Sequence, residues 1–323
     1  MVGLEVRDAV VRYGATTAVD HVSLQVTPGA VVALLGPSGS GKSTLLRAIA
    51  GLEPLVSGAV LWDGTDLARV KVHKRNFGMV FQDAQLFPTM TVGRNIAYGL
   101  GSLGRAAQRE RVAEMLDLIG LPGFESRRVT ELSGGQAQRI ALARSLAPSP
   151  RLLLLDEPLS ALDTGLRRRL ADDLARILRA THTTAIHVTH DHQEAYTVAD
   201  TVAVLQEGRL LQEADPDALR RTPASREVAA FLGFRAFVTQ QQARVLLWDG
   251  TLPVGTVLGI GPGSLVPDQA GVEVPILDQG FTVDDVEVGV RLPDGQRAVV
   301  SVPERLDSST MRIRLIGGAV TPV

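Results

Sequence analysis

The architecture of this 323-residue chain follows from one run, Gly36-Pro37-Ser38-Gly39-Ser40-Gly41-Lys42-Ser43-Thr44. The run matches the pattern of a glycine, four residues and then Gly-Lys-Ser/Thr that cradles nucleotide phosphates. An apolar run over 31–35 precedes it and apolar residues at helical spacing follow it over 45–49, which predicts strand, glycine-rich loop and helix. Glycines let the backbone approach phosphates, and the loop amides and the helix N-terminus attract anions. The run therefore predicts a nucleotide site, with Lys42 on the β- and γ-phosphates and the Ser43 hydroxyl on Mg2+.

Polar residues follow three other apolar runs. They are Gln82 after residues 77–81, Asp156-Glu157 after residues 152–155, and His190 after residues 184–189. Each of them taken alone is also compatible with an ordinary strand end, but open α/β sheets bind ligands at the carboxyl ends of their strands. Asp156 is then placed to provide the hard oxygen ligand that Mg2+ requires. Glu157 follows on the opposite side of the pleat, a position suited to polarising an attacking water.

A second anion-friendly segment is Leu132-Ser133-Gly134-Gly135-Gln136. Ser133 is a suitable N-cap for the helix that follows, and the two glycines leave the helix N-terminus bare. Without further context the segment is also compatible with a merely capped helix.

A helical insert is predicted over about 87–145, between two strands of one sheet. Residues 105–119 place apolar side chains on one helical face, and Gly120 is a natural C-terminal cap. The apolar Leu86-Phe87-Pro88 is predicted either to be buried locally or to form a patch that meets another protein.

Strand patterns flank this α/β region on both sides. Residues 4–13 and 19–26 alternate apolar and polar side chains, which predicts an antiparallel β subdomain. Beyond residue 235, short β-like runs and glycine-containing turns predict a small β-barrel or sandwich, without a catalytic constellation. The strands of this region are predicted near 243–248, 281–290, 296–302 and 311–316. We therefore predict two domains, residues 1–235 and 236–323.

Composition narrows the range of functions. The formal net charge of -2 gives no reason to expect nucleic acid as a partner. The absence of cysteine excludes a disulfide framework, a thiolate metal site and a cysteine nucleophile. No stretch approaches 18 apolar residues, so we expect any membrane role to come through partners.

Taken together, residues 1 to about 235 resemble the ATP-binding subunits of ABC transporters. The resemblance is carried by the phosphate loop and by 132–136, which lies between Gln82 and Asp156-Glu157, with 160–163 and His190 beyond. It implies a phosphate-loop ATPase of the ABC type, in which two copies sandwich two ATP molecules. Each γ-phosphate then lies between one copy's phosphate loop and the partner's segment equivalent to Ser133-Gly134-Gly135-Gln136.

The resemblance also implies a role for individual side chains at this site. Tyr13 would stack on adenine, Gln82 would sense Mg2+ and couple to the membrane subunits, Asp156 would hold Mg2+, Glu157 would be the general base, Asp163 would contact the other subunit, and His190 would contact the γ-phosphate. Lys42, Gln82, Glu157 and His190 are accordingly the expected catalytic residues, and Ser43, Gln82 and Asp156 the expected metal ligands.

The β-rich tail resembles the accessory domains of importer ATPases, and 86–88 with 95–100 look closest to ferric-iron and thiamine importers. The expected function is an ATP-hydrolysing dimer at the cytoplasmic face of the membrane. It would energise import through two permease subunits, with an extracytoplasmic binding protein as an indirect partner. One alternative is a soluble ABC-type ATPase that acts on DNA or ribosomes. Another is a phosphate-loop kinase, which would not need the 132–136 segment.

Overall fold

The computed structural model describes residues 3–160, 162–282 and 285–323, which form two compact units that divide between Pro216 and Asp217. This division precedes the predicted domain boundary near residue 235, because the helix over Arg226–Phe231 packs against the last strand of the second unit. No helix in the described ranges combines the length and the apolar character that crossing a bilayer requires.

The first unit contains a mixed sheet, an antiparallel sheet and helices that cover them. Its strands are β1 (Leu4–Tyr13), β2 (Thr16–Val26), β3 (Val31–Leu35), β4 (Ser57–Trp62), β5 (Thr65–Asp66), β6 (Phe77–Val80), β7 (Leu152–Asp156), β8 (Ala185–Thr189), β9 (Thr201–Gln206) and β10 (Arg209–Ala214). Its helices are α1 (Lys42–Ala50), α2 (Val92–Ala97), α3 (Arg105–Leu118), α4 (Gly134–Leu146), α5 (Thr164–Ala180) and α6 (His192–Val198), and α7 (Pro216–Arg221) spans the boundary.

The mixed sheet has the order β10-β9-β3-β8-β7-β6 and is parallel except for β10. Every residue of β3, β7 and β8 is buried, as expected for parallel strands covered on both faces. Helix α1 packs Leu45, Leu46 and Ile49 into the same core. The carboxyl ends of the parallel strands consequently meet at one edge of the sheet, where the predicted site residues follow.

The two peripheral parts of this unit agree with the expectation for the fold class. Strands β1 and β2 pair antiparallel and join β4 and β5 in the order β2-β1-β4-β5. Helices α2, α3 and α4 lie in sequence between β6 and β7, as the predicted insert requires. The predicted strand over 77–81 ends one residue earlier than expected, at Val80.

The second unit is rich in β structure. Its further elements are α8 (Arg226–Phe231), β11 (Ala236–Val238), α9 (Gln240–Val245), β12 (Thr256–Ile260), β13 (Leu265–Phe281), β14 (Val286–Arg291), β15 (Arg297–Val302), β16 (Thr310–Leu315) and β17 (Ala319–Pro322). The sheets have the orders β11-β12-β17 and β15-β14-β13-β16. The first part of the long β13 pairs with β16 and the last part with β14, so the sheet curls into a half-barrel.

One of the strand predictions in this unit was wrong, and another was right only in part. The segment 243–248 begins within helix α9, because Thr239 and Gln242 form a capping box and the buried Ala243 and Leu246 are spaced as on a helix. The predicted strand over 281–290 is confirmed over 286–290, which lie in β14, whereas Phe281 ends β13 and Thr282 N donates a hydrogen bond to Asp285 O. Residues 283–284 lie outside the described ranges.

Candidate active site

The phosphate loop joins β3 to α1 and is shaped by close backbone contacts. A Cβ atom on Gly36 would lie 2.1 Å from Leu205 O of β9, and one on Gly41 would lie 2.1 Å from Ala18 O of β2. Gly41 also has a φ of +94°, a conformation that other residues rarely adopt. These positions therefore require glycine, and the loop is held between two strands that come from distant parts of the sequence.

Lys42 points back into this loop. Its Nζ donates hydrogen bonds to Gly36 O and Pro37 O, both at 2.8 Å, and the residue is only 4% exposed. Burial lowers the pKa of the Lys42 ammonium from its ordinary value, and the carboxylates of Glu157 and Asp156 oppose that change. The side chain thus places a buried positive charge inside the loop predicted to hold phosphates.

Two side-chain oxygens that could hold a cation lie beside the loop. Ser43 Oγ donates to Asp156 Oδ1 at 2.6 Å, and Asp156, the last residue of β7, is 5% exposed. Arg47 Nη2 is 3.8 Å from the other carboxylate oxygen. Mg2+ commonly takes one or two protein oxygens and completes its shell with phosphate and water oxygens. The pair fits that cation, although the described residues contain no cluster of three or more His, Cys, Asp or Glu that would hold a metal by themselves.

Glu157 and His190 meet at the same edge of the sheet. Glu157 has a φ of +46°, and its amide donates to Val188 O of the neighbouring strand β8. Its carboxylate oxygen Oε2 lies 3.2 Å from His190 Nδ1. The left-handed backbone at Glu157 is costly for a residue with a side chain, and such strain concentrates at functional sites. With this backbone conformation, the Glu157 carboxylate faces His190, which follows the adjacent strand β8.

The turn that carries His190 is anchored by its neighbours. Asp191 Oδ1 accepts hydrogen bonds from the amides of Gln193 and Glu194, and its Oδ2 lies 3.2 Å from Arg167 Nη1. Burial alone would raise the pKa of the Asp191 carboxyl, but the hydrogen bonds from Glu194, Arg167 and Gln193 outweigh burial and lower this pKa below its ordinary value. The carboxylate therefore stays ionised and fixes the position of the turn.

Gln82 lies shortly after β6 and is exposed. Its backbone is held by Gln138, a residue that the sequence analysis did not identify. Gln138 Nε2, from helix α4, donates to Gln82 O at 3.2 Å and also contacts Phe81 O and Pro158 O. Gln138 lies on the buried face of α4, four residues before the buried Leu142. A polar side chain at an apolar position of a helical pattern was the signal that could have identified it.

The 132–136 segment forms the predicted cap. Ser133 Oγ accepts from Gln136 N, and Gln136 Oε1 accepts from Ser133 N, so both ends of a capping box are present at the start of α4. This helix packs against β6, which β7 and β8 separate from β3. At the usual strand spacing, β3 and β6 are about 14 Å apart. The fold thus brings Lys42, Asp156, Glu157 and His190 to one edge of the sheet, while Ser133 starts a helix that packs against the edge strand β6, three strands from β3.

Tyr13 and Asp163 lie at the surface. Tyr13 ends β1 in the hairpin whose second strand contacts Gly41, and it is 48% exposed. Asp163 is exposed and caps α5 by accepting a hydrogen bond from Leu166 N. Both side chains are accessible to a ligand or to a second protein.

Known proteins resemble the chain throughout this region and beyond it. The family model described as ABC transporter matches residues 19–160. The Fe(3+) ions import ATP-binding protein FbpC of Streptomyces avermitilis is 47% identical over 86% of this chain and 82% of its own length. The sulfate/thiosulfate import ATP-binding protein CysA 2 of Chromobacterium violaceum is 51% identical over 69% of this chain and 61% of its own length. The solved structure of cbiO1 from Clostridium perfringens, part of the ABC transporter complex cbiONQ, has 30% identity and a TM-score of 0.64, and the match covers 68% of this chain and 90% of that one.

Proposed function

The chain belongs to the ATP-binding subunits of ABC transporters, and we propose that it hydrolyses ATP as a homodimer to energise the import of ferric iron through a membrane permease. ATPase activity is characteristic of this family, and the similar proteins FbpC and CysA 2 are both import ATP-binding proteins. Ferric iron as the substrate, Mg2+ as the cofactor, the dimer and the permease are the parts that this proposal adds.

The choice of ferric iron rests on the extent of one match. The first unit ends at Pro216 of 323 residues, so a match that covers 86% of the chain includes part of the second unit. The match to the sulfate/thiosulfate importer protein covers only 69% of the chain, despite its higher identity. The iron-importer relative is therefore similar in the accessory region as well as in the ATPase region.

The dimer is supported by the separation of the two anion-friendly segments. The Ser133–Gln136 segment starts the helix that packs against the edge strand β6, whereas the phosphate loop follows β3, three strands away in the sheet. A helix N-terminus that presents a serine and two glycines suits a γ-phosphate. We infer that this segment completes the site of a second copy, and that the exposed Asp163 contacts that copy.

The chemistry within the site follows from its charges. Lys42 would neutralise the β- and γ-phosphates, while Ser43 and Asp156 would hold Mg2+ with Gln82 nearby. Mg2+, when bound, would neutralise phosphate charge. Glu157 would accept a proton from the attacking water, since it is the carboxylate beside the site that does not contact Ser43. His190 faces Glu157 through Nδ1, which leaves the opposite ring nitrogen to contact the γ-phosphate.

The permease would bind the helical insert at the cytoplasmic face of the membrane. Asn95 holds the Phe87 backbone through hydrogen bonds to its N and O atoms, at 2.8 and 3.2 Å. The Phe87 ring, which is half-buried, lies 4.5 Å from the ring of Tyr98, and Tyr98 is 62% exposed. The apolar stretch is thus partly buried locally and partly presented to a partner.

Uptake measurements test the proposal. A strain that lacks this chain should lose uptake of ferric iron, and the wild-type chain should restore it while Glu157→Gln should not. Uptake of thiamine and of sulfate provides the comparison. Loss of thiamine or sulfate uptake with normal iron uptake would refute the choice of substrate. Co-purification from solubilised membranes with ribosomes or DNA, and without a permease, would refute the transport function.

A further inference from the structure

Gln138 is a buried side chain whose amide faces a cluster of backbone carbonyl groups. It is 8% exposed, and its Nε2 lies 3.4 Å from Phe81 O and 3.2 Å from Gln82 O and also bonds Pro158 O. Carbonyl oxygens can only accept hydrogen bonds, so the end of the amide that meets them must be the NH2 group. Its two protons are shared among three acceptors, which ties the 81–82 segment, Pro158 and helix α4 to one point.

These three pieces belong to functional parts of the site that are distant in sequence. One is the loop that carries Gln82, and another is Pro158, the residue that directly follows Glu157. The third is helix α4 itself, whose N-cap is Ser133. Gln138 is five positions after Ser133, a distance of about 7.5 Å along a helix axis. A shift of the helix start is therefore transmitted to Gln82 and Glu157 through a short, rigid connection.

We propose that Gln138 is a positioning residue that couples the two ATP sites of the dimer, an inference that rests on the proposed shared sites. In that dimer, Gln82 and Glu157 act at the chain's own phosphate loop, whereas Ser133 acts at the partner's. Nucleotide held by Ser133 of one chain then sets the geometry of Gln82 and Glu157 in the same chain, at the other site. Coupling of this kind makes the two sites close and hydrolyse ATP together.

Other contacts keep α4 in place when this amide is removed. Ser145 Oγ donates to Met79 O at 3.0 Å, and Arg144 Nη1 donates to Gln85 O at 2.8 Å. Both contacts lie in the last turns of the helix, away from Ser133. Arg139, the next residue, also stays paired with Asp173 of α5 at 2.6 Å. Removal of the Gln138 amide therefore breaks the link from α4 to Gln82 and Pro158 while the helix itself stays attached.

The test compares Gln138→Leu and Gln138→Glu with a matched control, Gln108→Leu. Gln108 also uses one side-chain amide to bridge two backbone carbonyls, those of Leu100 and Leu103, but it lies in the helical insert on α3. The measurements are the rate of ATP hydrolysis against ATP concentration, the affinity of the monomer for ATP, and the thermal unfolding midpoint.

The wild type and the control should hydrolyse ATP with a Hill coefficient near the limit of about two for two coupled sites. Both Gln138 variants should have a Hill coefficient near one and a kcat lowered about tenfold, within the range of typical coupling free energies. Affinity of the monomer for ATP should not change. A merely structural role would lower the unfolding midpoint and the amount of active protein without changing the Hill coefficient.

A dimer with one working site separates the two ends of the connection. A Lys42→Ala chain paired with a Ser133→Arg chain has one composite site that contains neither change, made by the phosphate loop of the Ser133→Arg chain and the helix start of the other. Gln138→Leu should slow this site about tenfold when placed in either chain. In the Ser133→Arg chain this change breaks the link between α4 and the Glu157 segment. In the Lys42→Ala chain it breaks the link that holds the helix start.

The outcomes distinguish this inference from the proposed function. Slowing in only one of the two placements, a wild-type Hill coefficient near one, or Gln138 variants that match the control would overturn the coupling role alone. Absence of ATP hydrolysis by the wild type at any protein concentration would overturn the proposed function itself.

Discussion

Replacement of Glu157 by glutamine is the most direct test of the chemistry at this site. Gln keeps the length of the side chain and can still hydrogen-bond His190, whose Nδ1 lies 3.2 Å from Glu157 Oε2. It cannot accept a proton from water, however. Loss of a general base lowers the rate about 10²–10⁴-fold, which corresponds to about 3–5 kcal/mol of transition-state stabilisation. Because the contact geometry is retained, we attribute a loss of this size to the missing base.

The same change should strengthen the ATP-bound dimer. In the proposed site, Glu157 would add negative charge near the phosphates, and its neutral replacement would remove that repulsion while Lys42 remains in place. We therefore expect Glu157→Gln to accumulate as a dimer with ATP and Mg2+ in size-exclusion chromatography with light scattering. Phosphate release under the same conditions measures the rate.

Two comparisons make the result specific. Glu114→Gln removes a carboxylate from a surface ion pair with Arg111, at 3.0 Å, and should leave the rate unchanged. His190→Ala should also slow hydrolysis, and because His190 contacts Glu157, the double variant should be within about twofold of the slower single variant. A monomeric Glu157→Gln protein whose rate lies within about tenfold of the wild type would refute the general-base role, since one power of ten is only about 1.4 kcal/mol.

The remaining predictions concern four other parts of the chain. Lys42→Ala should abolish turnover and weaken ATP binding in a nucleotide-binding assay while leaving the fold intact, because the lysine supplies charge to the phosphates and burial already disfavours its ammonium in the folded chain. Ser133→Arg should leave ATP binding to the monomer unchanged but prevent hydrolysis. Ser133 is exposed at the helix start, so the bulky arginine side chain there would block the γ-phosphate bound by the partner. A chain that ends at Pro216, the end of the first compact unit, should retain basal ATPase activity at high protein concentration, because the predicted site residues all precede it. Asp191→Asn should reduce the loss of stability on acidification. The pKa of the Asp191 carboxyl is lowered in the folded chain, so the carboxylate stabilises the fold above about pH 4. This stabilisation disappears as the pH falls towards the pKa of the folded state.

Each of these predictions has a clear contrary result. Turnover by Lys42→Ala above a tenth of the wild-type rate would contradict the role of the phosphate loop. Complete loss of ATP binding by Ser133→Arg would contradict a site shared between chains. A folded fragment ending at Pro216 without ATPase activity would place part of the machinery in the second unit. Thermal unfolding curves of Asp191→Asn that depend on pH between 7 and 3 as the wild type does would remove Asp191 from the acid-sensitive groups.

Local sequence patterns were sufficient for the class of fold, and they also predicted the main site residues. The phosphate loop of 36–44 and the apolar runs that end at Asp156 and His190 are short, periodic signals whose meaning depends on neighbouring residues only. The meeting of these strand ends at one edge of a parallel sheet then follows from general topology. The resemblance to ABC transporter subunits rested on the same motifs and was confirmed by the comparisons.

Long-range packing determined the features that these patterns did not reveal. Gln138 contacts Gln82, 56 residues earlier, and Pro158, 20 residues later, so no local window contains the partners that give this amide its role. The backbone φ of +46° at Glu157 depends on a hydrogen bond to Val188 of a different strand. The same limit explains helix α9, where a few apolar residues suited either a strand or a helix until the cap at Thr239 and burial against the second core selected the helix. Short apolar runs carry little free energy of their own, so their structure is decided by the surfaces that they pack against.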